Sequence, residues 1–248
     1  MEACLQNAAI SNDKHAKSVY DLRYFYVKEG RGFYTSGVAF ESMLAIFRER
    51  RFQNFNSDGW YTAVSETGNP IVKGYIAEQI CINKISAKGL PMVDAGLTMM
   101  EVTPFSVRPA WNMEVGKGSS KQASKYSTVH LYVPTAYNFP NIDAVILALK
   151  DTSAHIVPIQ VTLSRDHKDS EEIFYKEMWQ PWTEQLENAG FTVSSTFVWI
   201  GKGELFEGFR EEVVKSTRQG ARLIQPEHRR MHIPIRMISR RLATALLL

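Results

Sequence analysis

The sharpest chemical signal in the sequence is a carboxylate that opens one strand-like run and a polar pair that closes the next. Asp143 follows Phe139-Pro140-Asn141-Ile142 and leads into Ala144-Val145-Ile146, while Gln160 and Thr162 close the run that starts at Ile156. Alternate side chains of a strand share a face, so Gln160 and Thr162 are expected on one side with Val161 packed behind. Apolar neighbours on both runs imply burial, and buried polar groups need partners. A hard divalent cation is one such partner. Asp143 would supply a carboxylate, Gln160 an amide oxygen and Val161 a backbone carbonyl, a set that suits Mg²⁺ with its retained waters. Glu78, on a helix after Gly74, is a second carboxylate that reaches the site if that helix packs across the sheet edge. A metal held there would orient water and stabilise charge on a phosphate in transit. Plainer roles stand beside these: Asp143 capping a turn after Pro140, Gln160-Val161-Thr162 as ordinary strand chemistry, and Glu78 as a solvated helix residue.

These residues must be positioned by the elements around them. Apolar residues at helical spacing from Val38 to Phe47 predict a helix that ends in Arg48-Glu49-Arg50-Arg51, and 59–69 reads as loop. A second helix starts after Pro70, with Val72, Tyr75, Ile76, Ile80, Cys81 and Ile85 on one face and Gly89 as its stop. The period then changes. Leu97 to Val107 is extended, and Thr128–Val133, Ile142–Leu149 and Ile156–Leu163 read as three strands separated by Asn138, Pro140 and Asn141 and by Asp151-Thr152-Ser153. A helix over Ser170–Ala189, ended by Gly190, precedes a fourth strand over Phe191–Ile200. A further helix is expected near Leu205–Thr217, followed by a basic tail. The order implies a mixed sheet flanked by helices.

Other motifs fail on their chemistry. His130 has no nucleophile elbow to serve, since no G-x-S-x-G occurs, and it reads as structural. His228 and His232 have helical spacing but lack the intervening Glu of a zinc protease. Gly116-Lys117-Gly118-Ser119-Ser120 lacks the upstream glycine of a phosphate loop. Trp179, Trp182 and Trp199 sit in apolar surroundings and read as packing residues. Basic groups suited to phosphate are Lys117, Lys121 and Lys125 in a Gly/Ser-rich loop, His167 after the third strand, and Arg229 and Arg230 in the C-terminal part. Phosphate contacts from such groups are salt-sensitive and blind to sequence. A solvated basic face is the bland alternative.

The bulk composition is ordinary. The 248 residues are 44% hydrophobic and 22% charged, enough for a full core and contrary to wholesale disorder. A formal charge of +3 is too small to announce a nucleic-acid binder, so the placement of charge decides. Two cysteines, Cys4 and Cys81, allow neither a disulfide framework nor a four-ligand zinc site, which favours a reducing compartment. No apolar run is long enough to span a bilayer, and Met1–Asp13 lacks the pattern of a signal peptide. No membrane role is expected.

The stretch Gly74-Tyr75-Ile76-Ala77-Glu78, then Asn138-Phe139-Pro140 with Asp143, then Gln160-Val161-Thr162, resembles the nuclease-type C-terminal domains of Crinkler proteins and the related domains of retrotransposon hot spot proteins. Both belong to the PD-(D/E)XK superfamily. The resemblance covers the core over residues 72–200. It implies a three-layer restriction-endonuclease-like α/β core with a central mixed sheet flanked by helices; that core is expected over 61–217, with an N-terminal helical extension over 1–60 and a basic C-terminal segment over 218–248 where the resemblance says little. It also implies a metal-dependent nuclease-like domain that hydrolyses or binds DNA with Mg²⁺ or Mn²⁺, acting in the nucleus. Glu78, Asp143, Gln160 and Thr162 would be the site, with Asp143, Gln160 and Glu78 as ligands. The superfamily's working sites carry Lys where this chain has Thr162. That departure favours the alternative, a catalytically degenerate effector module that acts through a host protein.

Overall fold

A computed structural model describes residues 25–28, 31–34, 58–66, 70–91, 100, 102–111, 128–135, 139–163, 169–203, 206–219 and 222–247. The chain divides into two compact units, one of 1–83 with 241–248 and one of 84–240. The expected helix over Val38–Phe47 lies outside the described residues, as do Lys117, Lys121, Lys125 and His167.

In the first unit, strands β1 (Phe25–Lys28) and β2 (Arg31–Tyr34) pair antiparallel. A helix occupies Asp58–Glu66, where loop was expected. Tyr61 and Val64, three residues apart, are buried together, and one apolar pair on a single helical turn is too short a pattern to read reliably. Arg241 joins this unit from the other end of the chain, 2.6 Å from Asp58 and stacked over Tyr61 at 4.3 Å. The helix after Pro70 runs over Pro70–Lys88, matching its apolar periodicity. Pro70 stands at its first position, where a missing N–H costs nothing. Gly89, at φ +75°, donates its N–H to Ile85 O at 2.7 Å, the left-handed stop that glycine adopts without penalty. No described helix is long and apolar enough to cross a membrane.

The second unit is built on a seven-stranded mixed sheet in the order β3-β4-β5-β6-β7-β11-β8, so the α/β class holds. Its strands are β3 (Val102–Phe105), β4 (Thr128–Pro134), β5 (Ala144–Lys150), β6 (Ser153–Thr162), β7 (Thr192–Gly201), β8 (Arg210–Val214) and β11 (His228–Pro234). β4, β5 and β6 form an antiparallel meander, and β7 lies parallel to β6. A parallel neighbour needs a long crossover, and residues 170–188 supply it as helix. That helix is α over Ser170–Ile173, π over Phe174–Met178 and α again over Trp179–Asn188. β5 is buried from Ala144 to Leu149, which explains its unbroken apolar run.

The crossover helix packs on one sheet face. Phe174, Tyr175, Trp182 and Leu186 meet Val145, Leu147, Ala154, Ile156, Phe197 and Trp199 in one core cluster. Each fully buried large side chain contributes roughly 1.5–3 kcal/mol. Trp182 and Trp199 are buried there and Trp179 is partly buried against the cluster, so all three serve packing as expected.

The end of the chain departs from expectation. Leu205–Thr217 is not a helix: Arg210–Val214 is the edge strand β8, and Thr217–Gln219 (β9) pairs with Arg222–Gln225 (β10) in a separate hairpin. The basic segment contains β11, inserted between β7 and β8, parallel to the first and antiparallel to the second. His228 and His232 therefore stand on a strand, where a spacing of four puts them on one face. Short helices at Ile235–Ile238 and Arg240–Ala245 follow.

Candidate functional site

The antiparallel β5–β6 ladder ends with Ala144 opposite Ile159, which leaves Asp143 and Gln160 as the next facing pair. Asn141, at φ +70° in the turn after Pro140, aims the chain into β5; Asn is among the few residues that tolerate that conformation. Asp143 N donates to Ile159 O at 2.8 Å. One carboxylate oxygen, Oδ2, accepts Val161 N–H at 2.6 Å and Gln160 Nε2–H at 2.9 Å. The Gln160 amide nitrogen also lies 3.4 Å from Val161 O. Two residues 17 apart in sequence are thus joined at the end of adjacent strands, and Gln160 and Thr162 are both buried.

The donor set fits a single hard cation in part. Asp143 offers the carboxylate and Val161 its carbonyl, while Gln160 directs its Nε2 rather than its amide oxygen at Asp143, and such a cation keeps several waters. Among the described residues, no group of three or more His, Cys, Asp or Glu is placed to hold a metal, so any ion here would rest on one carboxylate and neutral oxygens. Glu78 belongs to the first unit, on the helix Pro70–Lys88, where its Oε1 accepts Gln79 Nε2–H at 2.8 Å. Thr162 ends β6 opposite Gly201 and brings a hydroxyl where a cation was looked for.

Gln160 lies in register with Trp199, and Trp199 with His232, so the three share a face. Beyond Trp199 stands a second polar cluster that the sequence reading missed. Glu171, 3% exposed, receives Trp199 Nε1–H at 3.0 Å, Arg230 through Nε and an Nη at 2.6 and 2.8 Å, and His228 Nε2 at 2.7 Å. His228 Nδ1 faces Pro226 O at 2.9 Å. Tyr175, its ring tilted against that of His228 with centroids 4.1 Å apart, donates its O–H to Ser195 Oγ at 2.8 Å, and Ser195 Oγ donates to Ile156 O.

Charge in this cluster follows from its geometry. Burial acts to raise the Glu171 carboxyl, but hydrogen bonds from His228, Arg230 and Trp199 with the Arg230 charge outweigh it and hold it down at about 2. The hydrogen bond to Glu171 raises Arg230, and burial pushes the Tyr175 phenol up. Burial, then the nearby Arg230 charge, lowers His232. A sequence signal existed: Glu171 heads the apolar face Phe174, Tyr175, Met178, Trp182, and a carboxylate on such a face needs a cation.

The same contacts reassign two expected phosphate contacts. Arg230 is bound to Glu171 and to Glu212, and Arg229 to Glu211. Cross-strand carboxylates of β8 therefore neutralise the basic pair of β11. His130 sits on β4 with its ring 6.1 Å from that of Tyr132. Comparison of the chain with family models, curated proteins and solved structures finds no match.

Proposed function

We propose that the chain is a metal-dependent nuclease-like domain that hydrolyses or binds DNA, built on a three-layer restriction-endonuclease-like core. The observation that carries the reading is the Asp143–Gln160 pair at 2.9 Å, where an antiparallel strand pair meets a parallel neighbour. The order of helix, three-stranded meander, helix and parallel strand supports the fold half of the proposal. In open α/β sheets ligands bind at the carboxyl ends of the strands, and the pair lies at such an end.

Asp143 and Gln160, with the Val161 carbonyl, would hold Mg²⁺ or Mn²⁺. The ion, when bound, supplies charge stabilisation and an oriented water. Asp143 Oδ2 accepts two donors, which fixes the orientation of the carboxylate at the sheet edge. Gln160 turns its Nε2 toward Asp143, so its amide would turn over for its oxygen to become a ligand.

A specific observation favours a second reading. The same Asp143 oxygen is already satisfied by Val161 and Gln160, and Thr162 brings no positive charge. A degenerate effector module that works through a host protein, in the nucleus, would retain this brace without cutting.

Cleavage of linear duplex and single-stranded DNA with Mg²⁺ or Mn²⁺, in wild type and Asp143→Ala, separates the two. Metal-dependent cleavage that disappears in Asp143→Ala supports the nuclease. No cleavage with either metal, or equal cleavage in both proteins, removes the catalytic reading.

A further inference from the structure

Both ring nitrogens of His228 face oxygens that can only accept. Nδ1 lies 2.9 Å from the Pro226 carbonyl oxygen and Nε2 2.7 Å from Glu171 Oε1. A carbonyl has no hydrogen to give. Nor has Glu171: Oε2 receives Trp199 Nε1–H at 3.0 Å and Arg230 Nε–H at 2.6 Å, and Oε1 also receives Arg230 Nη2–H at 2.8 Å. A carboxyl ringed by three such N–H groups is held ionised. Neutral imidazole carries one N–H and one lone pair. Either neutral tautomer would therefore set a nitrogen lone pair against an oxygen lone pair, at 2.7 or 2.9 Å. Only the imidazolium, a donor at both nitrogens, meets both oxygens.

The surroundings agree with that charge. The His228 side chain has no exposed surface, so solvent does not stand in for a missing proton. From the crossover helix it faces the Glu171 carboxylate and the Tyr175 ring, with centroids 4.1 Å apart. On its own strand stands Arg230, which also donates to Glu212 Oε1 of β8 at 2.8 Å. The Tyr175 phenol, pushed up by burial, is neutral and keeps its hydrogen for Ser195. His228 and Arg230 then balance Glu171 and Glu212, charge for charge. A neutral His228 would leave two carboxylates against one guanidinium.

We propose that His228 is a buried imidazolium that acts as a proton latch, its second ring proton fastening β11 to the crossover helix. Histidine is the side chain whose charge most readily follows pH. With the proton on, both hydrogen bonds hold. As pH rises and the proton leaves, one of the two becomes a contact between lone pairs, at Glu171 or at Pro226. Trp199 shares the Glu171 carboxylate and stands in register with Gln160. The latch therefore reaches the strand that flanks the Asp143–Gln160 pair. It goes beyond the nucleic-acid reading and does not depend on it.

The full chain, labelled with ¹⁵N at histidine and tryptophan, is followed by ¹H–¹⁵N correlation spectra, with His228 assigned through its contact to the Tyr175 ring. At neutral pH both His228 nitrogens are expected at the position of protonated nitrogen. His232 provides the contrast: burial, then the Arg230 charge, lowers it, so it shows one protonated and one bare nitrogen. As pH is raised, loss of one His228 proton should shift the Trp199 Nε1–H resonance with the same midpoint. In His228→Gln, which cannot titrate, that resonance should hold still over the same range. One bare His228 nitrogen at neutral pH overturns the buried imidazolium, and this reading needs no variant. A Trp199 resonance that ignores the His228 titration, or that moves equally in His228→Gln, overturns the latch. So does a His228 that keeps both protons up to alkaline unfolding, since a fixed charge switches nothing.

Discussion

His228 Nε2 and Glu171 Oε1 lie 2.7 Å apart, joining a strand near the end of the chain to the first turn of the crossover helix 57 residues earlier. Both groups are almost fully buried. Arg230 and Trp199 complete the shell of donors around the carboxylate, so the cluster ties β7, β11 and the helix together at one point.

Removing that carboxylate leaves Arg230 and His228 without their buried acceptor. Breaking a buried pair from one side costs about 3–5 kcal/mol, and Glu171→Ala is expected to lose that much in urea unfolding. His228→Ala should lose less, because Arg230 and Trp199 still serve the carboxylate. A double-mutant cycle on Glu171 and His228 then yields a coupling well above that of a surface pair, which is ~0–1 kcal/mol. Additivity would show that the two residues act independently.

Acid should reach the same cluster. Glu171 is held at about 2, below its ordinary 4.5, so the folded state binds its proton less readily than the unfolded chain. The resulting stability, roughly 3 kcal/mol, is complete above pH 4.5 and is lost as pH falls from there through 2. Urea midpoints for wild type should drop over that window more steeply than those of Glu171→Gln. Parallel curves would assign the acid sensitivity elsewhere.

At the candidate site, Asp143→Ala removes two acceptor contacts at once and strands the Val161 N–H. An unsatisfied buried donor costs about 1–3 kcal/mol, so the variant should lose that stability along with any metal-dependent cleavage. Hydrogen exchange at the Val161 amide should speed up before exchange in the interior of β5. Unchanged protection at Val161 would mean that Asp143 does not brace β6.

Gly201 closes β7 beneath the Phe206 ring. A Cβ built there comes within 2.6 Å of the ring and 3.0 Å of the Thr162 carbonyl oxygen. Gly201→Ala is expected to cost about 1–3 kcal/mol through overpacking, with part recovered when Phe206→Leu is added. Thermal melting of the two single variants and the double variant reads this directly. No recovery would place the strain on the Thr162 backbone.

Several of these relationships could be read from residue types. The Pro70 start, the Gly89 stop, the meander of β4, β5 and β6 and the pairing of Asp143 with Gln160 all follow from period, turn residues and alternation. What escaped reading was non-local. Residues 205–217 look helical because Phe206, Phe209 and Val213 recur at helical spacing, and only the pairing of Arg210–Val214 with β11 makes that stretch a strand. Arg229 and Arg230 look like phosphate contacts until Glu211, Glu212 and Glu171 are brought beside them, from 18 and 59 residues away. Glu171 itself sat in plain view on an apolar helix face, but its partners lie on strands that no local pattern connects to it.

The place of β11 has a kinetic consequence. Residues 228–234 leave the ribosome after β7 and β8, yet they form an inner strand of the sheet between them. Until they emerge, β7 stands as an open edge with apolar residues from Phe197 to Ile200, and β8 has no strand to pair with. Unpaired edges of that kind recruit other chains, and late non-local pairing slows folding. Nascent or truncated chains that stop short of β11 should therefore aggregate through β7, while a chain that includes β11 closes that edge itself.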